Sequence, residues 1–145
     1  MKNRTRNNAS LDEIVVHLLH RVSQRADDLF HKEAGDSGMT PRQFAVLFAA
    51  AQSEGASQTD LVKGTGIDRS TVAEMVKRLS KKGLLQRRRS RRDARAYVVR
   101  LTGTGQSALK AAEPQAERAG AATLANLSGE QRKVLVEALK SIANS

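Results

Sequence analysis

SQTDLVKGTGIDRSTVAEMVKRLSKKGLL, residues 57–85, runs into QRRRSRRDARAYVVRL, residues 86–101, and this stretch decides the fold. Ser57, with Asp60 three residues on, is a capping pattern for a short helix carrying Leu61 and Val62, which stops at Gly64-Thr65-Gly66. Ile67 leads into Asp68, a good cap for a second helix through Thr71, Val72, Met75, Val76 and Leu79 to Lys82. Gly83 stands where a left-handed residue closes a helix. The period then changes from helical to extended: residues 84–88 and 96–101 read as short strands around a polar turn at 89–95. Two short helices joined by a glycine-containing turn and followed by a hairpin make a winged helix-turn-helix.

The charge sits on the same stretch. Residues 41–100 carry fourteen Lys/Arg against five Asp/Glu, whereas residues 1–40 are balanced and residues 101–145 carry five against four. Within residues 81–100, nine basic side chains (Lys81, Lys82, Arg87, Arg88, Arg89, Arg91, Arg92, Arg95, Arg100) face Asp93 alone. Charge gathered in one segment is the footprint of a polyanion-binding surface. The plainer alternative is a solvated basic face, and charge by itself does not separate DNA from RNA or anionic lipid.

Outward from this core the chain reads as helix. Ser10-Leu11-Asp12-Glu13 has the capping-box pattern, and Leu11, Ile14, Val15, Leu18, Leu19, Val22, Ala26, Leu29 and Phe30 predict one long amphipathic helix reaching His31 or Glu33. Thr40-Pro41-Arg42-Gln43 opens a helix with Phe44, Val46, Leu47, Phe48 and Ala50 on its apolar face. After the hairpin, Thr102-Gly103-Thr104-Gly105 restarts helix with Ala108, Leu109, Ala112 and Ala116, and Pro114 is expected to kink or interrupt it. Ser128-Gly129-Glu130-Gln131 caps a last amphipathic helix with Val134, Leu135, Ala138, Leu139 and Ile142.

A helix of this kind reads DNA by entering the major groove with its N-terminal side chains on base edges, while the hairpin reaches the neighbouring backbone or minor groove. The helix from Asp68 to Lys82 is the recognition candidate. Its apolar residues leave Arg69, Ser70, Thr71, Glu74, Lys77 and Arg78 for solvent or DNA. Arg69 suits a bidentate guanine contact, and Ser70 and Thr71 suit phosphate or base-edge bonds. Ser57 and Gln58 would present polar groups to a phosphate. In the hairpin turn, Arg89, Ser90, Arg91, Arg92 and Arg95 suit phosphate forks and narrow minor grooves. Asp93 is read as holding Arg95 through a local salt bridge, or else as only capping the turn.

The chain resembles the MarR family of regulators. The resemblance is carried by Met39-Thr40-Pro41-Arg42-Gln43-Phe44-Ala45-Val46-Leu47, Ser57-Gln58-Thr59-Asp60-Leu61, Ile67-Asp68-Arg69-Ser70-Thr71-Val72, Val76-Lys77-Arg78-Leu79-Ser80-Lys81-Lys82-Gly83-Leu84-Leu85, Arg88-Arg89-Ser90-Arg91-Arg92-Asp93-Ala94-Arg95, and Val99-Arg100-Leu101-Thr102 followed by Gly105. It departs from the family pattern at Gly103-Thr104, and at Lys63-Gly64-Thr65, where fraying of the third helix is expected. The resemblance implies a mainly α fold with a small β-hairpin wing, dimeric through its N- and C-terminal helices. It divides the chain into a dimerisation helix at 1–34, a winged helix-turn-helix at 35–102 and dimerisation helices at 103–145. It implies a homodimer on a pseudopalindromic DNA operator, with Asp93 and Arg95 as the wing pair and Arg95 near the minor groove. It further implies a repressor released by a small aromatic or related anionic effector. Candidate effector contacts are His17, His20 and Arg21 with Phe44 and Phe48, although phenylalanines at helical spacing are more often core.

Other chemistries lack their residues. There is no cysteine, so no disulfide, thiolate metal site or thiol switch exists. His17 and His20 stand three apart on a helix, but no carboxylate pattern completes a metal set, and none is expected. No nucleophile–base arrangement, phosphate-binding glycine loop or paired-carboxylate motif points to an enzyme or a cofactor; Gly64-x-Gly66 lacks the rest of a dinucleotide fingerprint. A protein-interaction winged helix fits poorly with an arginine-dense hairpin. An RNA-binding winged helix stays open as an alternative, although single-strand RNA fits poorly with a chain whose only Tyr is Tyr97 and which has no Trp. No membrane span or secretory leader is expected, which suits the cytoplasm and makes the Asn3 and Asn8 glycosylation patterns chance matches.

Overall fold

Among the described residues, five of the six α-helices start on the side chains that the sequence sets at their caps. The computed structural model describes residues 10–145; the Asn3 and Asn8 patterns and the start of the expected N-terminal segment lie outside the described residues. In chain order the elements are α1 (Val15–Ala34), α2 (Pro41–Ala51), α3 (Gln58–Thr65), α4 (Arg69–Lys81), β1 (Leu85–Arg89), β2 (Tyr97–Leu101), α5 (Gly103–Thr123) and α6 (Gly129–Ala143). Thr40 and Gln43, Ser57 and Asp60, and Ser128 and Gln131 form reciprocal capping boxes on α2, α3 and α6. Asp68 and Thr102 accept from the third backbone N–H of α4 and α5.

The first helix departs from expectation. Ser10 accepts from Asp12 N at 3.3 Å, Leu11–Glu13 forms a single 3-10 turn, and α1 starts at Val15 with no side-chain cap. Ile14 is extended, and with Val15 and Val16 it forms a β-branched run that loses side-chain freedom in a helix. Two other expectations are corrected. Lys63-Gly64-Thr65 remains helical: the Thr65 hydroxyl donates to Leu61 O at 2.6 Å and Gly66 closes the turn. Pro114 lies inside an uninterrupted α5. α5 packs along α1 and buries Leu109 and Ala112 before the proline and Ala119 after it, so tertiary packing keeps both halves helical.

β1 and β2 pair antiparallel in the register Leu85↔Leu101, Arg87↔Val99 and Arg89↔Tyr97. A single bridge adds Ala56 to the hairpin: Ala56 N donates to Val99 O at 2.9 Å and Val99 N to Ala56 O at 2.7 Å. The wing is thereby fastened to the residue that precedes Ser57, the cap of α3. At the other end, Gly83 sits at φ 76°, the left-handed region that frees the chain to turn from α4 into β1. The Thr102 hydroxyl donates to Gly83 O, tying that turn to the start of α5.

One core runs through all of this. Val46, Leu47, Leu61, Val72 and Leu79 are fully buried at its centre, with Phe30, Leu85, Val99 and Leu109 around them. α1 contributes only its C-terminal end. Leu11, Ile14, Val15, Val16, Leu18, Leu19 and Val22 are exposed, and α6 buries no residue while exposing Val134, Leu139 and Ile142.

Candidate nucleic-acid interface

The turn between α3 and α4 is held by polar side chains at the surface. Gln58 Nε2 donates to Arg69 O at 3.1 Å, and Arg69 Nη2 donates to Thr59 Oγ1 at 3.0 Å. The first turn of α3 and the first turn of α4 are thus fastened side by side. Asp68 accepts three bonds, from Thr71 N at 2.9 Å, Thr71 Oγ1 at 2.7 Å and Ser70 Oγ at 2.8 Å. The Thr71 hydroxyl, the Thr71 amide and the Ser70 hydroxyl together lower the Asp68 carboxyl to about 2. Asp60 is lowered in the same sense by the Ser57 amide and hydroxyl. By residue type Ser70 and Thr71 suit phosphate or base contacts. Their hydroxyl hydrogens are already committed to Asp68, so toward another partner they offer lone pairs.

Along α4, Val72, Val76 and Leu79 are buried, while Arg69, Ser70, Glu74, Lys77, Arg78 and Lys81 are exposed and Thr71 is half-buried. Glu74 Oε1 accepts from Arg78 Nε at 3.1 Å across one helical turn.

The hairpin turn is built from its own side chains. Arg89 lies 5.6 Å from the Tyr97 ring centre and its Nη1 donates to Ala94 O at 2.8 Å. Ser90 Oγ accepts from Arg92 N at 3.2 Å. The Asp93–Arg95 salt bridge does not form. Asp93 Oδ1 accepts from the backbone N–H of Arg95 at 3.0 Å, and Asp93 O accepts from Ala96 N, the local pattern by which aspartate closes turns. Asp93 is therefore the cap of the turn, and the Arg95 side chain is left exposed. None of the four ion pairs among the described residues involves an arginine of the hairpin. A cleft of about 630 Å³ between wing and α3 has Ser57 and Asp60 on one wall and Arg88, Arg89, Ser90, Arg91 and Arg92 on the other. Wing, α3 and α4 consequently lie side by side, with hairpin guanidinium groups that have no carboxylate partner among the described residues at one end and the α4 side chains at the other.

The candidate effector residues are more scattered. His17 is half-buried and His20 exposed. Arg21 Nη1 reaches Asp12 Oδ1 at 3.4 Å and lines a cleft along α1 to which neither histidine nor either phenylalanine contributes. Phe44 is half-buried between Phe30 and Phe48, with ring centres 6.0 and 5.9 Å away. Among the described residues no group of three His, Asp or Glu side chains is placed to hold a metal, and no helix is long and apolar enough to cross a membrane. Thr59, Tyr97 and Ala56 were missed in the sequence. Their roles come from contacts across the fold, and neither periodicity nor composition marks them.

A helix-turn-helix with a polar, partly cationic face on its second helix, continued by an arginine-rich hairpin, defines a DNA-binding regulator of the winged helix-turn-helix class. The profile of the MarR family matches residues 37–96. The HTH-type transcriptional repressor NicR of Pseudomonas putida is 31% identical over 133 residues, covering 92% of this chain and 84% of NicR. Among solved structures, Bordetella bronchiseptica BpsR, whose DNA binding is regulated by 6-hydroxynicotinic acid, superposes with a TM-score of 0.89 at 32% identity, covering 94% and 98% of the two chains. The transcriptional repressor CouR bound to a 23-mer DNA duplex superposes with a TM-score of 0.83 at 30% identity, covering 92% and 94%. The chain belongs to the MarR family and is a transcriptional regulator of that type.

Proposed function

We propose that this chain is a cytoplasmic, non-catalytic repressor. As a homodimer it binds a pseudopalindromic operator, and a small aromatic or related anionic molecule releases it. The observation that carries the DNA reading is the surface formed by α4, the start of α3 and the hairpin arginines, which have no carboxylate partner among the described residues. On it, Arg69, Glu74, Lys77 and Arg78 face the major groove. Ser57, Gln58, Asp68, Ser70 and Thr71 set the helix ends against the backbone. Arg89, Ser90, Arg91, Arg92, Asp93 and Arg95 carry the wing into the minor groove.

The dimer reading rests on exposed apolar surface. The first half of α1 and α6 are amphipathic helices whose apolar faces stay largely exposed among the described residues. Faces of this kind mark interfaces. Residues 1–34 and 103–145 then form the dimerisation element and residues 35–102 the DNA-binding unit. The effector class draws on BpsR and its 6-hydroxynicotinic acid, with His17, His20, Arg21, Phe44 and Phe48 as the contacts to test.

The test is binding of the purified protein to the DNA upstream of its own coding region and to a shuffled duplex across a salt series. Preference for the upstream duplex, with affinity falling steeply as salt rises, supports the reading. Equal binding to both duplexes, or a monomeric protein, overturns it.

A further inference from the structure

The exposed face of α4 is centred on a stripe of Ser70, Glu74, Lys77 and Lys81, spaced four, three and four residues apart and so stacked along one side of the helix, with the exposed Arg78 flanking it one turn beyond Glu74. The buried Val72, Val76 and Leu79 lie opposite. Three members of the stripe suit a polyanion and Glu74 does not, because a carboxylate there repels phosphate. It is the only acid within α4. Its pairing with Arg78 offers no compelling structural reason for it: the side chains are 55% and 67% exposed, and exposed pairs of this spacing stabilise little.

The geometry of the pair suggests what it is for. Arg78 uses Nε toward Glu74 Oε1. Among the described residues, Oε2 of Glu74 and both Nη groups of Arg78 make no hydrogen bond, so a free acceptor stands beside two free donors. In the major groove a C·G pair presents the complement: the cytosine amino donor beside the adjacent O6 and N7 acceptors of guanine. An A·T pair places its amino donor between two acceptors, which splits the pair of acceptors that a guanidinium fork needs.

We propose that Glu74 and Arg78 together read one C·G base pair in each half-site, Glu74 accepting from the cytosine amino group and Arg78 donating to guanine O6 and N7. This rests on the placement of α4 in the major groove argued above, and adds which residues set the base choice at one position. Within the pair the two charges cancel, so the reader contributes base selection without adding attraction to arbitrary DNA.

The experiment is selection of duplexes from a random-sequence pool. Affinities are then measured for the selected site and for versions with each base pair changed symmetrically in both half-sites. The native protein, Glu74→Ala and Glu74→Gln are compared at one salt concentration. At one symmetry-related position the native protein prefers C·G by about tenfold or more, and Glu74→Ala reduces that preference to within about twofold. Glu74→Ala also binds scrambled duplex at least as tightly, one negative charge having gone. Glu74→Gln moves the preference at that position toward A·T, because an amide pairs with adenine. Preferences elsewhere in the site stay as they were, which a general loss of structure would not allow. If both variants keep the native preference at every position, the inference is overturned and the operator reading survives. If the native protein selects no sequence at all, the operator reading falls and this inference with it.

Discussion

The guanidinium of Arg69, the first residue of α4, donates to the hydroxyl of Thr59 in the first turn of α3 at 3.0 Å, while Gln58 returns a bond to the Arg69 carbonyl at 3.1 Å. The side chain best suited to a guanine contact is thus held in place by the neighbouring helix before any DNA arrives. Ordering a long side chain on binding costs about 0.5–1.5 kcal/mol, and a contact already ordered in the free protein avoids part of it.

Thr59→Val keeps the shape of the side chain and removes the acceptor. Operator affinity is expected to fall by up to about tenfold, corresponding to about 1.4 kcal/mol, with stability lowered by no more than about 1 kcal/mol because the lost bond is at the surface. Arg69→Ala should lose more, and adding Thr59→Val to it should cost nothing further. Equal, additive losses in the double variant, measured by titration of labelled duplex, would show that the two residues act independently.

In the wing, Asp93→Ala removes a negative charge from a basic surface, so charge alone predicts tighter binding. The turn geometry predicts the reverse. Without the Asp93 oxygen that accepts from Arg95 N, the turn loosens and affinity falls. Arg95→Ala should weaken binding across sequences and reduce the slope of log affinity against log salt by about 1. Salt titrations of the two variants separate a lost charge from a lost turn.

The cap of α4 carries a pH signature. Hydrogen bonds from Thr71 and Ser70 lower the Asp68 carboxyl from 3.8 to about 2. A lowered value means that the ionised cap stabilises the folded chain above about pH 4, and that this contribution disappears as pH falls toward 2. Asp68→Ala should therefore be less stable than the parent at pH 5–7, and the difference should shrink steadily between pH 4 and 2. Denaturant unfolding at stepped pH checks this; a difference independent of pH would remove the charge from the argument.

Two glycines near the start of α5 should behave differently. A Cβ on Gly105 would collide with the carbonyl of Leu84 and press on the Leu101 side chain, where the turn leading into β1 passes close to α5. Gly105→Ala is expected to cost about 1–3 kcal/mol or more. A Cβ on Gly103 meets nothing, so Gly103→Ala should be neutral or stabilise by up to about 1 kcal/mol. Thermal melts of the two variants give the comparison directly.

Core and interface should separate in the same way. Leu47 is fully buried, and Leu47→Ala should cost about 2–5 kcal/mol. Leu139 is 45% exposed in the single chain, so Leu139→Ala should shift sedimentation toward monomer at low concentration while the winged domain still melts cooperatively. A monomeric parent protein would remove the basis for this prediction.

The amino-acid sequence by itself determined most of where helices start and which segment faces a polyanion. Both are local properties: a cap such as Thr40 or Ser128 bonds to an amide three residues away, and the arginines of the hairpin are consecutive enough to be counted. The same locality explains the errors. Ser10 looked like a capping box, but the β-branched residues after it held the chain extended for one residue, and α1 began later. Pro114 looked like a break, yet packing of α5 along α1 on both sides of it outweighed one missing amide. Only the tertiary structure decided that Asp93 caps the turn and leaves Arg95 unpaired, that Asp68 takes the hydroxyl hydrogens of Ser70 and Thr71, and that Ala56 joins the wing to α3 through Val99. Each of these is a choice among several partners within reach. Short polar side chains have many such partners in an unfolded chain, and the distances and angles that select one exist only once helices and hairpin have packed around Leu47, Leu61 and Val72.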